Sequence, residues 1–77
     1  MEQTPDAEIN LVGLVSPICL LELKRALSKL DRGQVLEVFI QDYQVAARII
    51  KIVDRSQDRL LDWREADSAY RIRIQKG

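Results

Sequence analysis

The sequence predicts an α+β fold, a two-layer α/β sandwich in which two helices pack on one face of a four-stranded mixed sheet, in the order β-α-β-α-β-β. Two segments repeat apolar residues every three or four positions, which is the period of a helix with one buried face. Four short runs are instead apolar, rich in β-branched and aromatic residues, or alternating in polarity, as strands are. The first strand–helix–strand connection favours parallel pairing, and a tight turn near the end predicts a hairpin.

The first half of the chain predicts a short strand followed by a helix. The strand covers Ile9–Val12, and Gly13 then allows a turn. Ser16 and Pro17 predict the start of the helix, because serine is a favoured N-cap and proline loses nothing at the first helical position. Gly33 is expected to close the helix as a left-handed cap. The buried face of this helix is predicted to consist of Leu20, Leu23, Ala26, Leu27 and Leu30.

The second half predicts a strand, a helix and a closing hairpin. The strand is Val35–Ile40, and Asp42 is placed to cap the helix that follows. The segment "RLLDWR" predicts a third strand and "AYRIRIQ" a fourth, with the turn at "EADS" between them. The second helix is predicted to bury Val45, Ile49, Ile52 and Val53.

Composition limits both the organisation and the chemistry of this chain. Its 77 residues fit a single domain, with residues 1–8 as a flexible lead-in and residues 9–77 as the folded unit. Twelve basic and twelve acidic side chains cancel, so no overall field favours nucleic acid or an anionic membrane. The sequence has no histidine and one cysteine, which argues against a zinc site and a serine–histidine nucleophile. We expect a cytoplasmic protein without a metal, a cofactor or a membrane segment.

The stretch "GLVSPICLLELKRAL", at the junction of the first strand and the first helix, resembles the TusA/SirA family of small sulfur-relay (sulfurtransferase) proteins. That family carries a Cys-Pro-x-Pro motif at this junction. The resemblance extends from about Ile9 to Gly77. It rests on features that recur in order and at matching spacing: Gly13, Pro17, the Leu27, Leu30 and Gly33 spacing, Asp42, and the closing "YRIRIQKG".

The resemblance implies a sulfur acceptor, but this sequence departs from the motif. In the family, the motif cysteine takes a persulfide sulfur from a cysteine desulfurase or another donor and passes it to the next relay protein. Here Ser16 occupies that position and Cys19 replaces the second proline, giving Ser-Pro-x-Cys. Asn10 and Gln41 stand where the family has acids, and Tyr43 where it has a proline. A serine hydroxyl cannot form a persulfide, so we expect a non-catalytic member.

Cys19 has two interpretations. It lies near the leucine face of the first helix, and a lone cysteine among leucines is usually a small buried apolar residue. Alternatively, it is a persulfide site moved one helical turn inward, where the helix dipole can lower the pKa of a thiol. Next to it, Ile18 and Leu21 fall outside the leucine face and lie beside Lys24 and Arg25. These four residues are candidates for docking a protein partner, by family resemblance a sulfur donor or acceptor.

The sheet face opposite the helices suggests a third hypothesis, binding of RNA. Arg71, Arg73 and Lys76 would lie near Phe39 on that face. Glu37 and Asp62 in neighbouring strands offer cross-strand ion pairs as a simpler role for the arginines, and a zero net charge is a poor signature for a nucleic-acid binder. The sequence thus favours a domain that acts by protein contact in or near a sulfur-transfer pathway. A carrier using Cys19 is the alternative, ahead of an RNA-binding module.

Overall fold

The computed structural model describes residues 4–77, apart from the side chains of Ser16 and Ala66, and has the predicted order of elements. Both helices and all four strands were expected from the sequence, and the bounds of two strands, β2 and β4, match the expectation. The elements are β1 Ala7–Asn10, α1 Ser16–Ser28, β2 Val35–Ile40, α2 Tyr43–Asp54, β3 Arg59–Ala66 and β4 Ala69–Gln75.

The sheet is mixed, with the strand order β1-β2-β4-β3. β1 pairs with β2 in parallel, as the helical crossover between them requires, and the other two pairings are antiparallel. Asp67 and Ser68 connect β3 to β4, and both have positive φ angles, 51° and 66°. Positive φ at both central residues of a two-residue hairpin gives a turn whose twist matches that of the flanking strands.

The core lies between the two helices and one face of the sheet. Leu36, Val38 and Ile40 of β2 point towards the helices, and their register partners in β4 lie on the same face. In α1 the buried positions are Cys19, Leu23 and Leu27, so the thiol belongs to the apolar face of the helix. The other fully or nearly buried core residues are Leu11, Val45, Ala46, Ile49, Val53, Ile72 and Ile74.

Several predicted boundaries were wrong by a few residues. β1 is Ala7–Asn10 rather than Ile9–Val12, so Ala7 and Glu8 lie in the sheet and not in the lead-in. Asp6 is also held there, since its N–H donates to the carbonyl of Val35 at 2.8 Å. Residues 1–3, the rest of the predicted lead-in, lie outside the described residues. β3 continues two residues beyond the prediction, to Ala66.

The ends of α1 also differ from the prediction. The N-cap is Val15, not Ser16, because the carbonyl of Val15 accepts the first helical hydrogen bond, from the N–H of Cys19 at 3.0 Å. The helix ends at Ser28, so Gly33 does not cap it. Gly33 has a φ of 86° in the turn that leads into β2, where its N–H donates to the carbonyl of Lys76. Its left-handed conformation was anticipated, but it serves the strand and not the helix.

Candidate functional site

The loop from Leu11 to Val15 joins β1 to α1 and is shaped by short-range hydrogen bonds. The N–H of Leu11 continues the parallel ladder to the carbonyl of Phe39 at 2.8 Å. The N–H of Val12 then donates to Oδ1 of Asn10 at 3.0 Å, which is a side-chain-to-backbone turn. Gly13 adopts a φ of 86°, which favours glycine. The loop thereby folds back so that it covers the first turn of α1.

Cys19 lies directly under this loop. Only 1% of its surface is exposed, and its Sγ lies 3.4 Å from the carbonyl oxygen of Leu14 and 3.8 Å from that of Leu11. Both carbonyls belong to the loop, so the single S–H group donates a weak hydrogen bond to the backbone that covers it, with either carbonyl within reach. This placement agrees with the interpretation of Cys19 as a buried apolar residue. A reagent or a protein persulfide can reach Sγ only if the loop moves.

The electrostatic surroundings of Cys19 oppose ionisation. Burial is the main cause that raises the pKa of the thiol above its ordinary value of 9.0, and the negative charge of Asp42 raises it further. A backbone hydrogen bond from the first turn of α1 lowers the pKa, but the two opposing effects are larger. Sulfur-accepting cysteines need the reverse balance, because the thiolate is the nucleophile.

A shallow cleft of about 380 Å³ opens beside the loop, at the carboxyl ends of β1 and β2. Gln41 and Asp42 form its polar side; Leu11, Gly13, Leu14 and Ile40 form the rest of its lining. Asp42 also caps α2, since its Oδ1 accepts the N–H of Gln44 at 2.8 Å. The predicted capping role is therefore confirmed, and the same carboxylate acts on the pKa of Cys19.

Five apolar side chains are exposed around the start of α1, and we call them the helix-entry patch. Their exposed fractions range from 42% to 62%, for Val12, Leu14, Val15, Ile18 and Leu21. Ile18 and Leu21 were expected to lie outside the core because of their helical positions. Leu14 and Val15 were missed, since a loop has no periodicity from which burial can be predicted, and Val12 had been assigned to the first strand. The helix entry thus exposes a larger apolar surface than the sequence indicated.

Basic side chains adjoin the helix-entry patch. Lys24 and Arg25 are exposed on α1, as expected, and Nη1 of Arg25 lies 3.4 Å from Oε1 of Glu22 in a surface ion pair. Such exposed pairs contribute little to stability. Lys24 therefore adds positive charge beside the patch, whereas the charge of Arg25 is partly offset by Glu22.

The sheet face opposite the helices carries ion pairs in place of a cationic surface. Glu37 of β2 is only 4% exposed. Its two carboxylate oxygens lie 3.3 Å from Nε of Arg71 and 3.7 Å from Nη2 of Arg73, both on β4. Asp62 of β3 is the register partner of Arg73 on the other side. The arginines that suggested RNA binding are thus engaged by acids, as the simpler interpretation predicted.

The described residues, 4–77, bear on two further types of site, a metal centre and a membrane span. No cluster of three or more metal-ligating side chains occurs in this described part of the chain. Neither described helix is both long enough and apolar enough to cross a bilayer.

Comparisons with known proteins place this chain in a family. The family model described as Sulfurtransferase TusA matches residues 7–76. Among solved structures, a SirA-like protein from Desulfitobacterium hafniense superposes with a TM-score of 0.72 at 23% identity, covering 92% of this chain and 97% of its own. At that identity the likeness establishes the fold, and a search of curated proteins gave no match. Since the family model spans nearly the whole sequence and the solved relative has the same two-layer fold, this chain belongs to the TusA sulfurtransferase family.

Proposed function

We propose that this chain is a TusA/SirA-like domain that lacks a sulfur-accepting cysteine and acts by protein contact, within or beside a sulfur-transfer pathway. The observation that carries this proposal is the position of the only thiol in the sequence. Cys19 is 1% exposed, lies under the loop that precedes α1, and has a raised pKa. The position that holds the acceptor cysteine in the family's motif is a serine here, Ser16.

The chemistry of persulfide transfer explains why this matters. The acceptor thiolate attacks the terminal sulfur of the donor's persulfide, a new S–S bond forms, and the donor cysteine leaves as a thiolate. A serine oxygen at Ser16 has no equivalent reaction. Cys19 has the required sulfur atom, but its raised pKa keeps the thiol protonated at neutral pH, and the loop backbone covers it. It therefore lacks both the negative charge and the exposure to a donor that the attack needs.

The helix-entry patch supports the contact part of the proposal. Its exposed apolar residues flank the motif, and apolar residues clustered on the surface of a small domain are typical of a docking surface. By family resemblance, the partner is a sulfur donor or acceptor protein that approaches the motif. Lys24 lies within this region and would favour an acidic rim on the partner.

The first test is persulfide loading, measured as intact mass. The protein is incubated with a cysteine desulfurase and free cysteine, in parallel with Ser16→Cys and Cys19→Ala. We expect no mass gain for the natural sequence and a gain of one sulfur atom for Ser16→Cys. A gain in the natural sequence that is lost in Cys19→Ala would contradict the proposal and establish the alternative, a carrier that uses Cys19.

The second test addresses the docking surface. The double variant Ile18→Glu with Leu21→Glu places two charges in the helix-entry patch, and proteins that co-purify with it are compared with those of the natural sequence. Ile52→Glu with Leu61→Glu is the matched control, because these residues are comparably exposed, at 36% and 40%, but lie elsewhere. We expect partners to be lost from the first variant only. An unchanged set of partners would contradict docking at this patch.

A further inference from the structure

The β1 edge of the sheet is unoccupied on its outer side within residues 4–77. β1 is the first strand in the order β1-β2-β4-β3, so its second edge has no neighbour among the described strands. An edge strand presents unpaired N–H and C=O groups, and these can pair with another strand. The edge is therefore a place where a further strand can be added.

The opposite edge is protected in ways that β1 is not. β3 contains a bulge between Leu60 and Asp62, which interrupts its pairing register. It also carries alternating charges, including Arg59 and Arg64. Bulges and charges are common means of blocking edge-to-edge pairing. β1 has regular parallel pairing over its four residues and a single charge, Glu8. Of the two edges, β1 is the better suited to accept a strand.

A groove of about 260 Å³ runs between β1 and α1 along this edge. Its floor is apolar, formed by Ala7, Ile9, Ala26 and Leu30, which also pack against the core. Its rim is charged, with Glu22, Arg25 and Lys29 along α1. A strand added to β1 would place its own helix-side residues over this floor.

We propose that a second copy of this chain occupies the β1 edge, by antiparallel pairing of the two β1 strands about a two-fold axis. If this axis is perpendicular to the sheet, the helices of both copies lie on the same side of the joined sheet. Two β1 residues that lie opposite each other across the axis must then point to the same face of the sheet. Two central registers satisfy this: Glu8 opposite Glu8, or Ile9 opposite Ile9. The first sets like charges directly opposite each other, which is destabilising. The second pairs the isoleucines and sets Glu8 opposite Asn10 of the second copy.

The charges on the rim of the groove fit the same axis. Glu22 and Lys29 are seven residues apart on α1, about two turns and roughly 10 Å. In an antiparallel pair of α1 helices, Glu22 of each copy faces the end that carries Lys29 in the other copy. Glu22 and Lys29 are thus complementary across the axis, as a two-fold interface requires, and Arg25 between them is paired with Glu22 of its own copy. The zero net charge of the chain adds no overall repulsion between copies.

Sedimentation equilibrium of the isolated natural chain tests this proposal through the dimer dissociation constant. Asn10→Asp and Asn10→Lys are the informative variants, because Asn10 is exposed and faces Glu8 of the second copy twice per dimer. Aspartate keeps the oxygen that accepts the N–H of Val12, and lysine loses it. With two such pairs, we expect Asn10→Asp to weaken the dimer about three- to tenfold and Asn10→Lys to strengthen it by a similar factor. A chain that remains monomeric up to about 1 mM would overturn the proposal. A dimer that both variants leave unchanged would also overturn it.

The rim provides a second, independent variant set. Lys29→Glu should weaken the dimer, and combining it with Glu22→Lys should restore it, because the reversed charges face each other again. Lys24→Glu is the matched control, since Lys24 lies on α1 but does not line the groove. Amide NMR shifts on dilution locate the contact: changes at β1 and the groove side of α1 support the proposal. Changes confined to the helix-entry patch would overturn it.

Discussion

Asp42 acts on two features of the structure at once, and two substitutions separate these effects. Its carboxylate caps α2 through Gln44 and raises the pKa of Cys19. Asp42→Ala removes both, whereas Asp42→Asn keeps an oxygen that can accept the same hydrogen bond and removes only the charge. Loss of an N-cap costs about 1 kcal/mol, which lowers the Tm of a domain of this size by about 4–8 °C. Asp42→Asn should lose less than half as much, from the weaker interaction with the helix dipole.

Unfolding is followed by the fluorescence of Trp63, the only tryptophan, and thiol ionisation by the pH dependence of alkylation at Cys19. In Asp42→Asn, the pKa of Cys19 should fall but remain above its ordinary value, because burial, the larger cause, is unchanged. Equal losses of stability in the two variants would refute the capping argument. An unchanged pKa in Asp42→Asn would refute the electrostatic one.

Three other predictions follow from burial and charge. Because the pKa of Cys19 is raised in the folded state, its contribution to stability is fully present below pH 9.0 and is lost as the pH rises through the folded-state value. The free energy of unfolding should therefore fall more steeply at alkaline pH for the natural sequence than for Cys19→Ala, measured by urea titration at several pH values. Glu37→Gln should cost about 1–3 kcal/mol, because it removes a buried negative charge that lies 3.3 Å from Arg71 and 3.7 Å from Arg73. The same change at the exposed Glu8 should cost under about 0.5 kcal/mol. Ile49→Ala should cost about 2–5 kcal/mol and Ile52→Ala under 1 kcal/mol, since the first side chain is fully buried and the second is 36% exposed.

Periodicity explains why most of the fold was predictable. The bounds of β2 and β4 followed from β-branched runs and strict alternation, and both helices followed from their apolar faces. The ends of elements were less predictable. Serine is a favoured N-cap residue, yet the N-cap of α1 is Val15 and not Ser16. The path of the loop decides which carbonyl accepts the first helical hydrogen bond. β1 was placed two residues late, since its burial alternates and its pairing includes the polar Glu8.

Position 16 is a serine, and its hydroxyl cannot form a persulfide in any fold, so this part of the chemistry followed from the amino-acid sequence alone. The order of helices and strands along the chain and the likeness to the sulfur-relay family also followed from the sequence. The exposure and the pKa of Cys19, in contrast, depend on the tertiary structure. The loop folded over Cys19 buries the thiol and so raises its pKa, and the negative charge of Asp42, 23 positions away in sequence, raises it further. Access and ionisation depend on such contacts between distant segments, which a local sequence pattern does not contain.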